Sequence, residues 1–180
     1  MRRRALRLTL SLPLLLTLGG CQAAKIIFRS ATHRIISVPS EGMAPTIRPG
    51  DMAAVEEGYY RAQPVRRFDV VTFKLAPENF SELMSDMDAG AIYVQRVVGL
   101  GGETLEIKGG KVLIDGRALE EPFATVPFAE EPPFGPVKIP EGEFFLLGDN
   151  RPNSLDSRYW ARHTLRQPQL LGKVVEIFRQ

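Results

Sequence analysis

Two runs of alternating character, Thr104–Lys108 and Lys111–Asp115, flank the pair Gly109 and Gly110, and this arrangement reads as a β-hairpin. Two-residue turns that match strand twist need positive φ at their central positions, a conformation glycine adopts without steric penalty. The rest of the chain is punctuated in the same way. Sixteen Gly and fourteen Pro in 180 residues leave little room for long helices, so short strands are the dominant expectation. Val70–Phe73 and Ile92–Val98 are rich in β-branched and aromatic residues and read as interior strands. Phe144–Leu147 runs into a polar loop at Gly148, and Val174–Phe178 reads as a closing strand. A helix is expected only near Phe80–Asp88, where a surface loop fits equally. Prolines 122, 127, 132, 133, 136 and 140 exclude a central strand over 120–140 and predict a long surface excursion there.

The length suits one domain, and 44% hydrophobic with 24% charged residues excludes wholesale disorder and a multi-span membrane protein. A net charge of +2, with basic residues interleaved among acids, gives no footprint for a nucleic-acid partner. No cofactor and no metal are expected, and the oligomeric state is left open.

Residues 1–24 read as a targeting segment, with residues 25–180 as the folded body. Met1–Arg7 is basic, Leu8–Leu18 is apolar, and Gly19 and Gly20 precede Cys21, the one cysteine. Leu18, Gly19, Gly20 and Cys21 resemble a bacterial lipobox, which implies lipidation of Cys21. The rival reading is an uncleaved anchor. The uncharged window Leu8–Ala24 lies at the short end of the roughly 17 to 25 residues that span a bilayer, and Pro13, Gly19 and Gly20 weaken a helix, so processing is favoured. Either reading puts the body outside the cytoplasm, on the periplasmic side and attached to a membrane. A single cysteine allows no intrachain disulfide.

Three blocks stand out against the β pattern. The first is Val38–Thr46, the second Tyr93–Glu103, and the third the polar stretch Gly148–Trp160. Together they resemble signal peptidase I, the serine-lysine protease family that cleaves secretory signal peptides. In that family the first block reads SxSMxPT around the attacking serine, and the second reads KRVVGLPGD with the general-base lysine. Here Gly42 stands in the serine's place and Gln95 in the lysine's. The resemblance covers Ile35–Phe178 and implies a mostly β fold, a coiled or barrel-like β-sheet with few short helices. It also implies that Ser40 falls at the oxyanion-hole position and that Ser154 and Asp156 match the pair orienting the lysine. Arg158 matches the arginine supporting that acid, and Asp149 and Arg96 fall on motif positions. Glu41 and Phe68 depart from the pattern, where a small residue and a glycine are usual.

A serine-lysine hydrolase needs an oxygen nucleophile, a neutral amine to take its proton, and donors for the oxyanion. Gly42 has no side chain to attack with, and the Gln95 amide does not accept a proton at any relevant pH. Chemistry relocated to Ser40 would need Lys74, His163 or His33 as its base, and none lies on a motif position. Three readings follow. The first is a membrane-tethered, catalytically inactive relative that binds extended signal-peptide-like segments by strand addition. The second is an active endopeptidase with atypical residues, and the third is a structural lipoprotein whose cleft is closed.

Overall fold

Gly109 and Gly110 have φ of 58° and 73°, the paired left-handed geometry that the hairpin reading requires. The computed structural model describes residues 23–27, 29, 32–88, 90–124 and 133–179. The targeting segment and Cys21 therefore lie outside the described residues, apart from 23 and 24. Among those described, the strands are β1 (Arg34–Ser37), β2 (Met52–Glu57), β3 (Val70–Phe73), β4 (Tyr93–Gly99), β5 (Thr104–Lys108) and β6 (Lys111–Ile114). They continue with β7 (Arg117–Ala118), β8 (Phe134–Lys138), β9 (Glu143–Leu147), β10 (Leu165–Arg166) and β11 (Leu170–Phe178). The mostly β architecture is the one expected. The region near Phe80–Asp88 forms only short 3-10 turns, Pro77–Asn79 and Glu82–Met84.

The strands make two antiparallel sheets. The larger runs β1-β2-β11-β3-β4-β9-β10, and the smaller runs β7-β6-β5-β8. The larger sheet is open, with β1 at one edge and β10 at the other. The expectation for 120–140 needs correction in part. Phe134–Lys138 is not surface excursion but strand β8, paired with β5 at the edge of the smaller sheet. An edge is where a strand tolerates Pro136, since no neighbour there needs its missing N–H.

After Glu143, strand β9 is apolar without a break from Phe144 to Leu147, and its two faces explain why. Phe144 and Leu146 point into one core with Val71, Phe73, Val97 and Trp160, while Phe145 and Leu147 point into another with Val98, Leu105 and Ile139. A strand covered on both faces has no polar face to show. A third cluster, Val38, Met43 and Ile47, packs beneath Ile36, Val70, Val94 and Ile177. It anchors the segment that follows β1, and so fixes the position of Ser40 and Gly42.

Phe68 is an exception to the ordinary backbone of the fold. Its φ of 73° is left-handed, a conformation costing a bulky residue about 1–2 kcal/mol and a glycine almost nothing. The ring is held by an edge-on contact with Phe123, centroids 4.9 Å apart. The backbone thus has the shape a glycine would give it, with a phenyl ring accommodated on top.

Candidate functional site

A groove of about 720 Å³ runs between the segment Arg34–Ser40 and the start of β4, and its wall includes Gly42, Gln95, Ser154 and Leu155. Both flanks are strand edges. Among the described residues, β1 pairs with β2 alone. On the side away from β3, β4 pairs with β9 only from Arg96 onward, so Tyr93 to Gln95 have no strand partner on that side among the described residues. Unpaired edges on facing flanks form a slot for a further strand. Most of the lining is apolar, including Ile35, Ile36, Ile92, Val94 and Leu155, and Arg34 is the one charged residue in it among the described residues. Burial, and then the Asp88 charge, raise the Tyr93 phenol above its ordinary pKa. It stays a neutral hydroxyl, donating to the Asp88 carbonyl at 2.8 Å.

Ser40, Gly42, Gln95 and Ser154 all line this groove. Tight turns, rather than strand, bring Gly42 in beside Ser40. Residues 41–46 form successive turns, closed by Ala44 N–H donating to Glu41 O and Ile47 N–H to Met43 O, and not an extended run. The turns are stitched to the Gly148 loop by Asn150 N–H donating to Gly42 O at 3.1 Å and Asn150 Nδ2 to Glu41 O at 3.2 Å. Gly148 permits this closeness, because a Cβ there would collide with the Ser154 hydroxyl and the Gly42 carbonyl. A Cβ built on Gly42 itself meets Asn153 O and Ser154 Oγ at 3.7 Å, ordinary van der Waals contact.

Gln95 is 6% exposed. Its Nε2 donates to Leu155 O at 2.8 Å and lies 3.5 Å from Ser154 Oγ. Asp156, which the resemblance pairs with Ser154, is not in the groove lining. Its carboxylate is fully buried, accepts from Gly148 N–H at 3.1 Å, and is gripped by Arg158 through Nε at 2.8 Å and Nη2 at 3.0 Å. Arg158 also donates to Arg151 O and Ser154 O, so the pair holds the loop that carries Ser154. Arg96 and Asp149 form a second buried bidentate pair outside the groove lining, at 2.8 and 2.6 Å, and Arg96 donates to Phe68 O as well. Adjacent strand residues face opposite ways, which is why Gln95 reaches the groove and Arg96 the interior behind it.

None of Lys74, His163 or His33 lines the groove. His163 Nδ1 pairs with Ser157 O and its ring meets Phe134, while His33 pairs with Thr32. No Asp, Glu, His or Lys is present in the lining among the described residues.

The sequence reading missed the brace behind the loop. Glu121 grips Arg151, 1% exposed, through both carboxylate oxygens at 3.0 and 2.6 Å, and Arg151 in turn donates to Gly148 O. Phe123 lies over the Arg96 guanidinium at 3.9 Å. The signal was weak, since an acid and a ring in a proline-rich stretch carry no periodicity.

A family model described as "Signal peptidase, peptidase S26" matches residues 11–179. The Signal peptidase I of Leptolyngbya laminosa is 38% identical over 141 residues, covering 78% of this chain and 66% of that protein. The Probable signal peptidase I-2 of Synechocystis sp. is 34% identical over 162 residues, covering 88% and 70%. The Thylakoidal processing peptidase 1, chloroplastic, of Arabidopsis thaliana is 33% identical over 136 residues, covering 76% and 39%. The aligned region thus spans about two thirds of the first two relatives. A crystal structure of a signal peptidase I from Enterococcus faecalis superposes with a TM-score of 0.48 at 27% identity, over 63% of this chain and 98% of that one.

Proposed function

We propose, from the premise that this chain belongs to the signal peptidase family, peptidase S26, that it binds extended, signal-peptide-like segments without cutting them. Gly42 and Gln95 occupy the places of the nucleophile and the base in this reading, with Ser40, Ser154, Asp156, Arg158, Asp149 and Arg96 kept as the frame around them. The observation that carries it is the groove itself. Two unpaired strand edges flank an apolar slot, as β-augmentation requires, and among the described residues the lining holds no Asp, Glu, His or Lys to act as a base. The closed-cleft reading loses support from the same groove.

The test is direct. A labelled synthetic peptide carrying the apolar stretch and small-residue site of a secretory signal should bind saturably to the purified protein and be recovered intact. An absence of binding would remove the reading, and turnover at ordinary enzyme rates would remove its inactive half.

Residues 1–24 serve in this reading as the targeting segment and 25–180 as the body, held outside the cytoplasm by a lipid on Cys21. No helix among the described residues is long and apolar enough to cross a membrane. Metabolic labelling with a fatty acid should mark the wild-type protein and be lost in Cys21→Ala. Label surviving the substitution, or absent from the wild type, points to the plain anchor.

A further inference from the structure

The Gln95 side chain uses only half of its amide. Nε2 is committed to Leu155 O, and the assignment is forced, because exchanging the two amide atoms would bring two oxygens to 2.8 Å. Oε1 is then buried, with no hydrogen-bond partner among the described residues. Buried carbonyl oxygens without a donor are uncommon, and each calls for an explanation. This one belongs to a groove-lining residue on the unpaired flank of β4, beside the slot open to a further strand.

We propose that Gln95 is a backbone-reading residue: its Oε1 accepts one main-chain N–H of a peptide lying in the groove. This rests on the peptide-binding reading given above and adds to it the group that fixes the peptide's register. An extended chain laid between β1 and Tyr93–Gln95 satisfies alternate N–H groups on the strand edges. An N–H near residue 95 meets, in addition, an acceptor already held in place by the bond to Leu155. Leu155, whose carbonyl holds Nε2, lines the same groove and is 47% exposed, so the amide sits at the groove wall. The amide is neutral at every physiological pH, so the contact does not depend on a proton as an amine at this position would.

The experiment is an amide-to-ester scan. The labelled signal-type peptide is made in versions that replace one backbone N–H at a time by an ester oxygen, and each is titrated against wild type and Gln95→Met, a side chain of similar length without an acceptor oxygen. One ester position should weaken binding to the wild type roughly tenfold, the range expected for a buried acceptor left unmet. Gln95→Met should weaken the parent peptide by a similar factor, and the same ester should then cause little further loss, the coupling expected of two partners in one bond. Equal ester effects in both proteins at every position would overturn the proposal while leaving peptide binding intact. Failure of the parent peptide to bind wild type would remove the peptide-binding reading itself. If Gln95→Met does not fold, the Cδ carbon resonance of labelled Gln95 in the wild type decides: it should move with the parent peptide and not with the one critical ester, and no movement overturns the proposal.

Discussion

A Gly42→Ser, Gln95→Lys double variant should cleave a secretory precursor that the wild-type protein leaves intact. Loss of a coupled nucleophile and base costs on the order of a millionfold in rate, so restoring both has a wide range in which to register. The structure has room for the change. Gly42 is not among the positive-φ residues, and its added Cβ sits at 3.7 Å from Asn153 O and Ser154 Oγ, so serine enters without strain. Position 95 already lies within 3.5 Å of Ser154 Oγ and is almost fully buried, and burial lowers an amine's pKa toward the neutral form that a base needs. The recovered rate should therefore rise with pH as the lysine loses its proton. Either substitution alone should do almost nothing, since nucleophile and base act as a unit. A double variant that folds, binds the peptide and still does not cut would mean that Glu41 or the ring of Phe68 has displaced the cleft. A shift of about 1 Å can cost around a hundredfold.

Arg158→Ala should lower stability by about 3–5 kcal/mol, read from the urea midpoint, because it leaves the Asp156 carboxylate charged and fully buried. That is a large share of the roughly 5–15 kcal/mol that holds a domain of ordinary stability together. Asp156→Asn combined with Arg158→Met removes both charges and should be markedly milder. The local effect reaches the groove as well. Arg158 donates to Ser154 O and Arg151 O, so a variant still folded at low temperature should bind the signal-type peptide more weakly. A midpoint shift for Arg158→Ala no larger than that of the double change would refute the buried-charge account.

Local chemistry was enough to predict several elements from the sequence. The Gly109-Gly110 turn, β3, β4, β9 and most of β11 are declared by residues within each segment, through positive-φ glycines and apolar runs. The family blocks likewise brought Ser40, Gly42, Gln95 and Ser154 to one groove. Where long-range contact decides, local reading had nothing to work on. Met52–Glu57 is built from Met, Ala, Val and Glu, several of them strong helix formers, yet it is a strand because Ala53 and Ala54 are small enough to lie fully buried between β1 and β11. β8 forms in a proline-rich stretch because β5 offers it an edge. Asp156, which the family resemblance pairs with Ser154 at the lysine's side, lies outside the groove lining, since a buried carboxylate goes where a guanidinium and a backbone N–H can satisfy it. The residue types alone put Gly42 and Gln95 at the positions that the proposed reading assigns to nucleophile and base. Tertiary structure alone decided that those positions still lie together beside an open slot, because strand pairing between residues far apart in sequence sets which edges remain free.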